Sequence, residues 1–171
     1  MKHLKMNKII NKSRLMDYSL RLVSKKRYTI SEIRKKLSAL CKSYPEIEVD
    51  MINEVIARLI ELKYLDDSEF VKDYVLSRIQ FRPRGISLIK QELRIKGINK
   101  DIINEGFEHV DFDESKACCD LVEKKMRLWS KHPVQKQKEK AFQFLVSKGF
   151  SKEAIYTTLK SCYSSGREQD Y

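Results

Sequence analysis

Glycine and proline are scarce in this sequence: 5 glycines and 3 prolines occur among 171 residues. An all-β fold needs many tight turns, which these two residues form most readily. The sequence therefore excludes a turn-rich β protein. No apolar run approaches the roughly 18 residues that span a bilayer, and the basic N-terminus MKHLKMNKIINK lacks the apolar stretch of a signal peptide. We predict a cytoplasmic protein with no membrane partner.

The residue patterns of catalytic and metal sites are also missing. None of the 4 cysteines forms a CxxC pair, and the 3 histidines are scattered without ligand spacing. The motifs GxxxxGK[ST], GxSxG and HExxH are absent. The neighbouring acids Asp66 and Asp67 are better explained as a helix cap than as a catalytic pair. We therefore predict that the protein is not an enzyme and has no cofactor or metal.

Positive charge is what the chain has in excess. Its formal net charge is +11, and 35% of its residues are charged. This composition is typical of exposed helices with narrow apolar stripes, and it indicates an anionic partner. Basic stripes fit phosphate backbones and acidic protein surfaces equally well. A solvated surface that only keeps the protein soluble is the alternative.

Two basic stretches carry much of this charge and supply the candidate partner-binding residues. Residues 78–100 contain 7 basic residues against Glu92 alone, and residues 116–148 contain 9 against 3 acids. The nearby aromatic residues, Phe81 and Trp129, are expected in the core rather than stacked on bases. The predicted contact residues are Arg78, Arg82, Arg84, Lys90, Arg94, Lys96, Lys124, Lys125 and Arg127.

One pattern occurs twice, as KGINKDII at residues 96–103 and as KGFSKEAI at residues 148–155. In each copy a glycine, Gly97 or Gly149, can adopt the left-handed conformation that closes a helix. An apolar residue and a good N-cap follow, so each copy predicts a helix, a tight turn and a second helix. A fainter third copy lies upstream, where SYPEIEVD replaces the glycine turn.

Apolar residues at helical spacing predict nine helices in three units of three and no convincing strand. The predicted fold is all-α, with three tandem three-helix repeats that form an elongated, curved array. Residues 101–114 carry six acids and no Lys or Arg, which indicates either a hinge or a solvated helix end and turn. The predicted divisions are a mobile basic arm at 1–13, repeats at 14–65, 66–110 and 111–163, and a flexible tail at 164–171.

Four segments resemble those of a known family. LDDSEFVKDYVLSR, residues 65–78, resembles the signature L-D-D-x-x-F-A-x-x-Y-x-x-x-R of the RecX family. GISLIKQELRIKGI, residues 85–98, resembles the family pattern I-x-x-E-L-x-x-K-G-I. Residues 18–37 resemble the opening of its first repeat, and residues 140–155 resemble its closing motif. Val71 stands where the family usually has Ala.

The resemblance implies a small, all-helical cytosolic protein that regulates the bacterial recombinase RecA and is not an enzyme. It implies binding to RecA and to its filament on single-stranded DNA, along the helical groove. The implied effect is mainly inhibition, with consequences for recombination, DNA repair and the SOS response. The protein is expected to be a monomer.

Two other functions remain open at this point. One is a stand-alone basic DNA-binding protein or transcription regulator, whose recognition helix at residues 87–96 would present Gln91 and Arg94 to base edges. The other is a helical-repeat scaffold for an acidic protein. Sequence-specific binding to duplex DNA would favour the first of these.

Overall fold

A computed structural model describes residues 11–108 and 110–164 of the chain. Over these residues the chain forms nine α-helices and no β-strand, which confirms the predicted all-α fold. We refer to α1–α3, α4–α6 and α7–α9 as the first, second and third repeats. The helices are α1 (Lys12–Val23), α2 (Ile30–Leu40), α3 (Val49–Glu61), α4 (Asp67–Phe81), α5 (Ile86–Ile95), α6 (Lys100–Glu105), α7 (Glu114–Trp129), α8 (Val134–Ser147) and α9 (Lys152–Ser164).

Side chains cap several helix starts, including the cap predicted at Asp66. Thr29 and Glu32 form a capping box before α2, in which the Thr29 hydroxyl and the Glu32 carboxylate each accept the other's backbone N–H at 3.1 Å. Asp66 caps α4 by accepting a hydrogen bond from the Glu69 N–H at 3.0 Å. Such caps satisfy N–H groups that have no partner inside the helix. Local sequence therefore determines where these helices begin.

The predicted end of the N-terminal arm and the predicted start of the C-terminal tail differ from the observed helix bounds by one or two residues. Helix α1 begins at Lys12, inside the predicted arm, because Asn11 caps it by accepting the Arg14 N–H at 3.1 Å. Helix α9 continues to Ser164, the first residue of the predicted tail. The remainder of the arm and of the tail lies outside the described residues.

Each repeat encloses an apolar core of its own. Among the described helices, every pair in extensive contact belongs to a single repeat. Burying one large aliphatic side chain stabilises the fold by roughly 1.5–3 kcal/mol, so each small core depends on few residues. Fully buried examples are Leu15, Ile33, Leu37 and Leu59 in the first repeat, Val71, Val75, Ile89 and Leu93 in the second, and Val122, Ala141, Leu145 and Ile155 in the third.

Hydrogen bonds at the start of α2 join the first repeat to the second. The Thr29 hydroxyl donates to the carbonyl oxygen of Lys96, which follows α5, at 2.9 Å. The Ile30 N–H donates to Oδ1 of Asp67, the first residue of α4, at 3.0 Å. The middle helix of one repeat thus begins against two elements of the next.

The same construction joins the second repeat to the third. The Gly85 N–H, just before α5, donates to the carbonyl oxygen of Lys148 at 2.9 Å. The Ile86 N–H donates to Oε1 of Glu114, the first residue of α7, at 2.7 Å, and Oε2 of Glu114 accepts the Ser151 N–H at 2.9 Å. The acidic segment at 101–114 therefore includes a connection between repeats, which its composition did not predict.

These junctions explain why the Lys-Gly turn occurs twice in the sequence. Gly97 and Gly149 have positive φ angles of 80° and 76°. A Cβ at Gly97 would lie 2.2 Å from the hydroxyl of Ser31, and one at Gly149 would lie 2.3 Å from the Cβ of Leu88. Backbone conformation and close approach to the preceding repeat both require glycine at these two turns. The first repeat has no such docked turn, and its corresponding loop has no glycine.

Candidate partner-binding surface

Glu92 lies at the centre of the first basic stretch and binds two of the predicted contact residues. Arg78 Nε donates to Oε2 of Glu92 at 3.0 Å, and the Arg84 guanidinium pairs with Oε1. The Tyr74 hydroxyl also donates to Oε2, at 2.7 Å, and accepts a hydrogen bond from Arg78 at 2.6 Å. We call these four residues the Glu92 network. Charge-assisted bonds of this kind hold both arginines in fixed orientations.

The helices position this network directly. Tyr74 and Arg78 lie one turn apart on α4, so their side chains leave the same face of the helix. Pro83 then stops α4, and the chain turns back into α5 at Gly85. This turn returns Arg84 to the face that carries Glu92. The side chain of Glu92 is only 17% exposed, so its charge depends on these partners.

Lys96 forms an ion pair across the junction between the first and second repeats. Its ammonium group lies 2.8 Å from Oε1 of Glu32 in the first repeat. Burial raises the pKa of Glu32, but hydrogen bonds from Lys96 and the Thr29 N–H, with the charges of Lys96 and Lys26, lower it below its usual value. Lys96 therefore contributes to holding two repeats together.

The other basic residues of this stretch differ in how accessible they are. Lys90 donates to Oδ1 of Asn104 at 3.0 Å and lies 5.1 Å from the centre of the Phe107 ring, within its own repeat. Arg82 and Arg94 are exposed, and their side chains form no ion pair with any described residue. Of the six predicted residues in residues 78–96, these two are the ones most available to a partner.

The predicted residues of α7 also point in different directions. Lys124 and Arg127 are exposed and form no ion pair within the part of the chain that the structure describes. Lys125 is partly buried, with its ammonium group 5.9 Å from the centre of the Phe144 ring. The nine predicted residues therefore differ in exposure and in partners, and within the described residues an ion-pair network brings together only Arg78 and Arg84.

The two aromatic residues near these stretches have different environments. Trp129 is partly buried in the third core, with its ring edge-on to Phe144 at a centroid distance of 6.0 Å, as expected. Phe81 is 77% exposed, so its predicted place in the core is wrong. It is the last residue of α4, and the break that Pro83 introduces leaves it beyond the apolar face of the helix.

A groove of about 440 Å³ lies between the end of α4 and the outer face of α7. We call it the α4–α7 groove. Its lining is mostly polar, and its large apolar side chains are those of Ile79, Phe81, Phe112 and Leu121. Its charged lining residues are Asp111, Asp113, Lys116, Asp120 and Lys124.

The described residues contain neither a cluster of metal-binding side chains nor a membrane-spanning helix. No group of three or more His, Cys, Asp or Glu side chains in residues 11–108 and 110–164 could hold a metal ion. No helix in those ranges is long and apolar enough to cross a membrane.

Sequence reasoning missed the acids that organise these basic side chains. Glu92, Glu32 and Glu114 each bind groups far away in the chain, so no local pattern identifies their partners. One signal was present for Glu92, since it is the single acid among seven basic residues. Such an isolated acid indicates an internal ion pair.

Comparison with known proteins gives a consistent result. Family models for the second and third three-helix domains of RecX match residues 66–106 and 113–159. Regulatory protein RecX of Haemophilus influenzae (strain PittEE) is 31% identical over 135 residues, which cover 78% of this chain and 85% of that protein. Regulatory protein RecX of Chlorobaculum tepidum is 32% identical over 149 residues, covering 87% and 88%.

Solved structures show the same architecture of tandem three-helix repeats. A crystal structure of RecX from Lactobacillus salivarius matches with a TM-score of 0.74 and 26% identity, over 88% of this chain and 95% of that one. Another crystal structure of regulatory protein RecX matches with a TM-score of 0.72 at 24% identity, which supports the fold alone.

Proposed function

Because this chain belongs to the RecX family, we propose that it regulates, and mainly inhibits, the bacterial recombinase RecA. It binds RecA and the RecA filament on single-stranded DNA, and it lies along the helical groove of that filament. Through this binding it modulates recombination, DNA repair and the SOS response in the cytoplasm. It acts as a monomer by occupying surface, and it catalyses no reaction.

The observation that carries this proposal is the similarity to curated regulatory proteins over most of their length. The end-to-end order of the repeats supports it as well. Hydrogen bonds join the first repeat to the second and the second to the third. A ligand extended in this way can reach more than one subunit of a filament, and its separate contacts then reinforce one another.

Exposed basic residues supply the electrostatic part of the interaction. Arg82, Arg94, Lys124 and Arg127 are the predicted contact residues that are exposed and form no ion pair in the described structure. A filament groove offers phosphates and acidic side chains, both of which attract such groups. Arg78 and Arg84 instead stabilise the second repeat through Glu92, and Lys96 helps to join the first repeat to the second. Binding therefore depends on salt concentration.

The decisive experiment is a titration of RecA's single-stranded-DNA-dependent ATP hydrolysis with this protein at two salt concentrations. We expect inhibition well below one protein per recombinase, weakened at the higher salt concentration. A parallel assay with excess DNA controls for simple sequestration of the strand. Absence of inhibition under both conditions would contradict the proposed function.

The same assay, repeated with charge-reversal variants, identifies which basic residues contact the partner. We expect the double variant Arg82→Glu, Arg94→Glu to raise the half-inhibitory concentration about tenfold or more. The matched control is Lys35→Glu, Lys42→Glu, which changes the net charge equally at exposed positions of the first repeat. Equal losses in both variants would mean that only net charge matters. Circular dichroism checks that helicity is retained.

A direct DNA-binding role is the second candidate. It is favoured by Gln91 and Arg94, which are both exposed on α5 and could reach base edges. Binding to one duplex sequence at least about a thousandfold more tightly than to others would support it. Indifference to duplex sequence, together with inhibition of RecA, would support the recombinase regulator.

A further inference from the structure

Phe81 has the largest exposed fraction among the large apolar side chains of the described residues, at 77%. An aromatic side chain of this size contributes strongly to stability or to binding when it is buried. Here it gives no packing to the second core and forms one edge of the α4–α7 groove. Exposed aromatic residues are enriched at the centres of protein interfaces. Its position therefore indicates contact with a partner.

The charges beside Phe81 restrict what that partner can be. Asp111 and Asp120 are exposed and form no ion pair within the described parts of the chain, although Lys116 and Lys124 lie one turn from Asp120 on α7. With Asp113, the groove has three carboxylates against two ammonium groups. On a chain with a net charge of +11, the groove is therefore locally acidic and places these carboxylates beside exposed apolar side chains such as Phe81.

A phosphate backbone fits this groove poorly, because carboxylates at its edge repel phosphates at short range. A protein segment that presents a large apolar side chain next to lysine or arginine complements both of its properties. The apolar side chain packs against Phe81, Phe112 and Leu121, and the basic group binds Asp111 or Asp120. Opposite charges at the rim also orient the segment.

We propose that the α4–α7 groove is a docking site for a segment of the partner protein that carries an apolar side chain flanked by basic residues. This inference rests on the proposed function, in which the partner is the RecA filament. It adds a contact that is opposite in sign to the exposed arginines. Arg82, Arg94 and Arg127 then bind phosphates and acidic groups of the filament, and the carboxylates of the α4–α7 groove bind basic groups.

Replacing the negative charge of Asp120 with a positive one tests whether the α4–α7 groove binds a basic segment. Asp120→Lys and its matched control Asp17→Lys, at an exposed position in α1, raise the net charge equally. Inhibition of RecA ATP hydrolysis on poly(dT) is measured for both variants. We expect Asp120→Lys to require about tenfold more protein for half inhibition, and Asp17→Lys to inhibit at least as well as the wild type. Stronger inhibition by Asp120→Lys would overturn the proposal.

Truncation of the aromatic side chain tests the apolar half. Phe81→Ser is compared with Val49→Ser, which changes an apolar side chain that is 67% exposed in the first repeat. We expect about a tenfold loss of inhibition for Phe81→Ser and little change for Val49→Ser. Both positions are exposed, so urea unfolding should show that both variants remain folded.

Fluorescence anisotropy with labelled dT oligonucleotide alone separates a protein partner from a nucleic acid. We expect Phe81→Ser to bind this DNA as the wild type does. Loss of DNA binding in step with inhibition would make Phe81 a base-stacking residue and overturn the proposal.

If the wild-type protein fails to inhibit RecA at all, the proposed function fails and this inference with it. Normal inhibition by all variants would overturn the groove alone.

Discussion

Glu92 determines how much positive charge the second repeat presents to a partner. The sequence predicts Arg78 and Arg84 as contact residues, but both bind this carboxylate, and their side chains are only 20% and 30% exposed. Tyr74 joins the same network. Three residues of the RecX-like motifs, Tyr74, Arg78 and Glu92, therefore serve internal structure in this chain. Charge along the sequence does not reveal such internal pairing, so the role of Arg78 and Arg84 in partner binding stays a prediction.

Removing the charge of Glu92 should destabilise the second repeat. We expect Glu92→Gln to lower the free energy of unfolding by about 1–3 kcal/mol, because two partly buried arginines lose their carboxylate. The control is Glu61→Gln, whose carboxylate pairs with Arg58 at the surface and should matter by less than about 0.5 kcal/mol. Urea unfolding measures both. Equal effects of the two substitutions would contradict the central role of Glu92.

At the scale of the helices, two carboxyl groups at the first junction titrate in opposite directions. The pKa of Glu32 is lowered, so folding favours its charged form. Its contribution to stability is present above its unfolded pKa and is lost as the pH falls through the folded pKa. Burial raises the pKa of Asp67, the Ile30 N–H opposes this, and the charges of Asp66 and Glu32 raise it further. The stability that Asp67 contributes is therefore present at low pH and is lost as the pH rises through its folded pKa.

Neutral substitutions at these two positions should therefore differ in sign at pH 7. We expect Glu32→Gln to destabilise the protein by about 0.5–1.5 kcal/mol. Asp67→Asn keeps an oxygen that accepts the Ile30 N–H and removes a buried charge, so its stability should equal or exceed that of the wild type. Each difference should shrink as the pH falls through the folded pKa of the group concerned, which is lowered for Glu32 and raised for Asp67, because the wild-type carboxyl group then becomes protonated.

Urea unfolding of the three proteins at pH 7 and at pH 3.5 checks this prediction. A loss of stability in Asp67→Asn at pH 7 would contradict it. So would a difference between Glu32→Gln and the wild type that is larger at pH 3.5 than at pH 7.

The helices themselves could be predicted from sequence because their signals are local. The cap at Thr29 lies three residues from its partner, and apolar residues repeat every three or four positions. The junctions could not be predicted, because their partners are distant in sequence. Glu114 accepts N–H groups 28 and 37 residues away, and Lys96 pairs with an acid 64 residues away. Only the folded chain brings such groups together.

At the scale of the whole molecule, the junctions are small compared with the cores that they connect. Glu114 connects the third repeat to the second by accepting the Ile86 N–H, and its other oxygen accepts the Ser151 N–H within the third repeat. The second and third repeats have separate cores, and Glu114 belongs to neither of them. Local opening at the junction therefore requires less free energy than unfolding of a repeat.

Glu114→Ala should loosen this junction selectively. We expect hydrogen exchange at the amides of Ile86 and Ser151 to accelerate at least about tenfold, because each loses a charge-assisted bond worth roughly 1.5–3 kcal/mol. Amides of the first repeat should be unchanged. The control is Asp113→Ala, which removes the cap of α7 at Lys116 but retains the Glu114 carboxylate that accepts both N–H groups. Uniform acceleration along the chain would contradict a local role.

The residue immediately before the middle helix of each repeat determines whether that repeat can donate a hydrogen bond to the turn of the following one. Thr29 supplies a hydroxyl and Gly85 supplies an N–H to the turn of the following repeat. The corresponding residue before α8 is Pro133, which has neither donor. The bond that joins each of the first two repeats to the next therefore has no equivalent donor before the middle helix of the third repeat.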